Sequence, residues 1–90
     1  MGRVVHKIHL TNLNGNIVKA GKGHFVPIYV SEQNGKVTVW YETLHNNKLW
    51  TNEYEFVVVS TGKELPESVK YIDSVCHSSG LVWHVYGHWL

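Results

Sequence analysis

The sequence predicts an all-β chain, and three observations carry that prediction. Apolar and polar residues alternate with period two through most of the chain. β-Branched residues gather in those runs, and turns containing Gly or Asn-Gly separate one run from the next. With 90 residues the chain forms a single domain over residues 1–90. The expected architecture is a small antiparallel meander of five to seven strands, either curled into a barrel-like sheet or packed as a small sandwich. No helix longer than a short turn is expected.

Val4 to Leu10 reads as the first strand, with Val4, Ile8 and Leu10 on one face and Lys7 and His9 on the other. Residues 11–16 carry turn chemistry, and Ile17 and Val18 make a short strand ended by Gly21-Lys22-Gly23. Phe25 to Glu32 is the next main strand, and Pro27 marks it as an edge or a bulge because proline has no N–H to donate. Asn34-Gly35 between two alternating runs predicts a type I′ hairpin, with Val37 to Leu44 as its second arm. His45 to Lys48 reads as another hairpin loop before a long strand from Leu49 to Ser60. Phe56 to Val59 is apolar at every position, as in a strand covered on both faces. Thr61 to Glu67 is a loop, with one helical turn allowed over Pro66 to Val69. Tyr71 to His77 and Leu81 to Tyr86 form a last hairpin across Ser78-Ser79-Gly80.

Composition narrows the function classes. A net charge of +1, with one arginine and scattered lysines, argues against a duplex nucleic-acid binder, which concentrates positive charge on one face. No apolar run approaches the ~20 residues of a membrane span, and Val4-Val5 is broken at once by His6 and Lys7, unlike a signal peptide. Cys76 is the single cysteine, so no intrachain disulfide forms, and its apolar neighbours predict a buried small side chain. The seven histidines do not form a metal set. His6 and His9 face opposite sides of a strand, while His84 and His88 stand ~13 Å apart along one.

Read in order, Ser31-Glu32-Gln33-Asn34-Gly35, Val39-Trp40, Val59-Ser60-Thr61-Gly62 with Leu65-Pro66, Tyr71-Ile72 and the closing Gly80-Leu81-Val82-Trp83-His84-Val85-Tyr86 resemble one family. It is a set of short, uncharacterised proteins encoded by tailed bacteriophages and prophages. The resemblance is best in the middle and at the end. It departs before residue 25 and in the tail Gly87-His88-Trp89-Leu90. It implies a phage origin, a place in the cytoplasm of the infected bacterial host and an accessory role. It assigns no catalytic residue.

The residues themselves offer no nucleophile elbow and no phosphate-binding motif. Glu53 and Glu55 share a face that reads as solvated, and Gly21-Lys22-Gly23 and Thr61-Gly62-Lys63 read as ordinary turns. The chain is therefore read as a binder without catalytic residues, cofactor or metal. Four tryptophans in so short a chain are the main lever. Trp50, after a polar loop, and Trp89, beside the C-terminus, are expected to be exposed and to stack on a base more readily than Trp40. His84, which faces outward if Trp83 faces the core, together with Lys63 and Tyr86 completes the expected ligand-binding set. Two functions follow. One is an oligomeric sponge that sequesters a nucleotide-derived immune signal of the host, an expectation by analogy with other short phage proteins. The other is a protein-binding inhibitor of a host defence component, or a structural virion accessory protein. Uncovered strand edges and aromatic surface point to a homo-oligomer in either case.

Overall fold

Asn34 and Gly35 both adopt positive φ, 53° and 79°, between the paired residues Gln33 and Lys36. Two positive φ values in a two-residue loop are the type I′ turn predicted from the sequence. It joins the longest hairpin of a computed structural model that describes residues 2–11, 15–21, 23–45 and 51–90. The described residues form seven strands: β1 (Arg3–His9), β2 (Asn16–Ala20), β3 (Phe25–Gln33), β4 (Lys36–Leu44), β5 (Asn52–Ser60), β6 (Lys70–Cys76) and β7 (Val82–Trp89). All pair antiparallel, and among the described residues there is no helix.

The strands build two sheets, β1-β4-β3 and β2-β5-β7-β6, so the sandwich is realised and the closed barrel is not. The connectivity is not sequential. β4 already has β1 on one side and β3 on the other, so the chain after Leu44 has no free edge there and crosses to the second sheet. The loop expected to make a β4–β5 hairpin is therefore an inter-sheet connection. Its residues Asn46, Asn47 and Lys48 lie outside the described residues.

The core lies between the sheets. Val37, Val39 and Tyr41 of β4 face Tyr54, Phe56 and Val58 of β5 and Val85 of β7, with Leu10 and Val30 completing the cluster. Phe56 is fully buried, with the rings of Phe25, Tyr41 and Tyr54 around it at 6.1, 6.0 and 5.2 Å. Phe56 to Val59 are all buried, as their unbroken apolar run requires. Val57 and Val59, on the outer face, lie opposite Tyr86 and His84 of β7.

Pro27 is both things it was expected to be: it sits on an edge strand, and the β3–β4 register shifts between Pro27 and Tyr29. The helical turn allowed near Pro66 does not form, because Ser68 takes φ of 69°, in the left-handed region that a right-handed helix excludes. Cys76 is exposed, contrary to expectation. Val75 packs on the core, and strand alternation then turns Cys76 outward.

Candidate functional site

The two hairpin turns meet at one end of the sandwich, between sheets that are otherwise joined by their apolar faces. Glu32, at the end of β3, accepts from the Ser78 backbone N–H at 2.7 Å and from the Ser78 hydroxyl at 2.6 Å. His77 Nε2 donates to the Gly35 carbonyl at 2.7 Å, which leaves Nδ1 to accept from the Ser79 N–H at 3.1 Å. The Ser78 donors, the hydroxyl first, hold the Glu32 carboxyl below the usual carboxylate range, and His77, 3.6 Å away, adds to this only when its ring is protonated and Nδ1 no longer accepts. A polar clasp thus fastens the β6–β7 turn to the β3–β4 turn.

Beneath the clasp opens a cleft of about 460 Å³. Its lining runs from the buried, apolar Leu10, Val37 and Val58 through the half-buried Trp83 and His77 to the exposed Lys36 and Ser79. Leu10 is fixed there because its N–H continues the β1–β4 ladder to the Val37 carbonyl at 2.8 Å. The volume falls in the range of small-molecule sites, and so does the pattern of an apolar lining with a few polar groups. Such a cleft has room for a flat, largely apolar group beside Trp83, with the Lys36 ammonium and the Ser79 hydroxyl near enough to suit a polar or anionic substituent.

Of the five sequence-predicted binding residues, the four that are described do not line this cleft. Trp50 lies outside the described residues. His84 does face outward: its Nε2 lies 2.9 Å from the Thr61 hydroxyl and its Nδ1 2.7 Å from the Ser74 hydroxyl, which is 2.9 Å from the Tyr71 hydroxyl. Tyr86 stands on the same outer face, edge-on to Tyr71 at 5.5 Å. Lys63 is exposed in the adjoining loop, where its backbone N–H closes a turn on the Ser60 carbonyl at 3.2 Å and so is not free to cradle an anion. His84 and Tyr86 therefore share the outer face of the second sheet, and Lys63 lies in the loop that adjoins it.

Trp89 corrects the expectation of exposure. It is half-buried, edge-on to Tyr54 at 5.1 Å and to Phe25 at 5.3 Å, because β7 continues to Trp89 and alternation turns the indole inward. There it lines a smaller cavity of about 260 Å³ with Pro27, Ser68, Lys70 and His88. Trp40 is half-buried as well, but on the outer face of the first sheet, 5.4 Å from the exposed ring of Tyr29. Glu55 is not simply solvated. It accepts from His88 Nε2 and from the Gly15 N–H, each at 2.7 Å, and its carboxyl is lowered by those bonds, His88 first. Among the described residues no group of three or more His, Cys, Asp or Glu side chains could hold a metal ion, and no helix is long and apolar enough to cross a membrane.

The sequence reading missed Trp83, His77 and Lys36 as site residues. A legible signal existed in part: two glycine turns, each flanked by polar side chains. What no local pattern records is that these turns close on the same end of the molecule.

No curated protein and no solved structure matches this chain. Residues 1–89 match one family, and the match includes the segment before residue 25 and the tail as far as Trp89. The chain belongs to the family described as Domain of unknown function (DUF7352).

Proposed function

We propose that the protein is a non-enzymatic accessory factor of phage origin that binds a nucleotide-derived small molecule in the inter-sheet cleft, as a homo-oligomer in the cytoplasm of the infected host. The observation that carries this reading is the placement of Trp83 beside buried apolar residues, with Lys36, His77 and Ser79 in the same lining. The indole offers stacking to a purine or pyrimidine, and the Lys36 ammonium offers a partner for phosphate. Trp83 replaces Trp50 and Trp89 as the stacking residue in this reading.

Calorimetry and native mass spectrometry of the purified chain against cyclic dinucleotides, cyclic trinucleotides and ADP-ribose derivatives test it. Saturable binding by one of these classes, with a change in tryptophan fluorescence, is the expected result. Failure of the whole panel to bind would overturn it. A second reading, a protein-binding inhibitor or virion accessory protein, draws on Val26, Ile28 and Tyr29, all exposed along the edge strand β3 of the first sheet, with Trp40 beside them. Retention of a phage or host protein on the wild-type chain and its loss with Tyr29→Ala would favour that reading.

A further inference from the structure

Four strands lie at sheet edges: β1 and β3 in the first sheet, β2 and β6 in the second. An edge with free N–H and C=O groups is a template for another chain, and natural proteins blunt such edges with charged side chains, proline, bulges or shortness. Three of the four are blunted in these ways. β3 carries Pro27 and a register shift beside it. β6 is interrupted by a shift between Tyr71 and Asp73. β2 is only five residues long.

β1 is neither short, bulged nor proline-broken, and its only guard is the charge of the exposed Arg3 and Lys7. Its seven residues pair with β4 in unbroken register from Arg3↔Leu44 to His9↔Thr38. Hydrogen bonds from the His45 N–H to the Gly2 carbonyl and from the Leu10 N–H to the Val37 carbonyl continue that ladder at both ends. Those two bonds also fix the backbone phase. Gly2 and Leu10 direct their ladder groups toward β4, so the even-numbered residues do the same, and the odd-numbered residues Arg3, Val5, Lys7 and His9 direct theirs to the free side. Among the described residues no strand occupies that side.

We propose that the partner of this edge is β1 of a second copy, paired antiparallel about a two-fold axis at His6, so that two three-stranded sheets become one continuous sheet. This rests on the homo-oligomer in the reading above and names its interface. Charge selects the register. Centring the pair on Val5 would set Arg3 directly opposite Lys7, and centring it on Lys7 would oppose two lysines; like charges directly opposite destabilise a sheet. Centring it on His6 avoids both. Val5 then lies opposite Lys7 of the second copy, Arg3 opposite His9, and Val4 opposite Ile8. The same register pairs the whole strand and hydrogen-bonds every free donor and acceptor of the four odd residues. It also brings the second copy's strand beside Val5, which is 52% exposed in the single chain.

Sedimentation equilibrium and light scattering of the full chain test the interface. The wild-type chain is expected to have twice the mass of one chain at micromolar concentration. Lys7→Pro removes an N–H from the free side without breaking the β4 ladder, so it should weaken dimerisation by about tenfold or more while the circular-dichroism melt of the folded chain is retained. Val5→Lys should weaken it in a salt-dependent way, and combining Val5→Lys with Lys7→Glu should restore it, because each new lysine then meets a glutamate. A wild-type monomer would overturn both the oligomer and this interface. An oligomer that Lys7→Pro and Val5→Lys leave intact would overturn the interface alone.

Discussion

The Tyr54 ring lies against the α-carbon of Gly87, in the space where any other residue would carry its β-carbon. A β-carbon built on Gly87 runs into the Tyr54 hydroxyl and the adjoining ring carbons. The two residues are diagonal neighbours on paired strands, since Tyr54 registers with Trp89 and Phe56 with Gly87. Gly87 takes no positive φ, so glycine is required here for space and not for conformation. By filling that space Tyr54 reaches both Phe25, at 4.4 Å, and Trp89, and so joins the sheets at the end opposite the cleft.

Gly87→Ala should therefore cost about 1–3 kcal/mol, the range for forcing extra volume into a packed core. Tyr54→Phe removes the nearest colliding atom, so Gly87→Ala should cost less in that background than in the wild-type chain. Urea unfolding of the four proteins measures the coupling. A Gly87→Ala chain as stable as wild type would show that Tyr54 does not occupy this position.

Stability should fall in acid through three glutamates. Glu32, Glu42 and Glu55 are held below the ordinary carboxylate value of 4.5, chiefly by hydrogen bonds from Ser78, His24 and His88 respectively. A carboxylate with a lowered folded pKa binds fewer protons folded than unfolded. Its stabilising effect is complete above the unfolded value and disappears as the pH drops through the folded one. Thermal melts from pH 6 down to pH 3 should show the midpoint falling below about pH 4.5. Glu32→Gln should lower the midpoint at pH 6 and shrink the drop in acid. An equal drop in wild type and variant would remove Glu32 from this account.

Once a ligand is in hand, its affinity should depend on the cleft and not on the opposite end of the sandwich. Stacking is worth ~1–3 kcal/mol per base, so Trp83→Leu should weaken binding by about tenfold to a hundredfold. Lys36→Ala should weaken it less and reduce its salt dependence. Trp89→Phe should leave it unchanged. Titration of the variants by intrinsic fluorescence or calorimetry decides among these residues, and a loss confined to Trp89→Phe would move the site to the smaller cavity.

Cys76 should react in the native state. It is exposed on the edge strand β6, so a maleimide should label it fully without denaturant, and Cys76→Ser should change stability by no more than about 0.5 kcal/mol. Labelling that requires unfolding would contradict its outward placement.

Much of the local structure could be read residue by residue. Asn34-Gly35 can adopt the paired positive φ values that a two-residue hairpin needs, Pro27 cannot serve a central strand, and Phe56 to Val59 has no polar side chain to offer solvent. Each of these reports on its own few neighbours. Trp89 and Trp40 were harder, because an aromatic residue suits either face of a strand. Their burial depended on where β7 ends and on which face of β4 meets the other sheet.

The sequence by itself determined the strands, their turns and the all-β class, since period-two alternation and turn chemistry act between residues close along the chain. The tertiary structure decided the pairing order, because β4 can accept only two neighbours and β1 and β3 occupy both sides. It also decided the cleft. Glu32 and Ser78 are distant in sequence, and they meet because two sheets stack their apolar faces and bring two turns to one end. Trp83, His77 and Lys36 converge for the same reason, so the candidate site is a property of packing, and the two glycine turns are its only local trace.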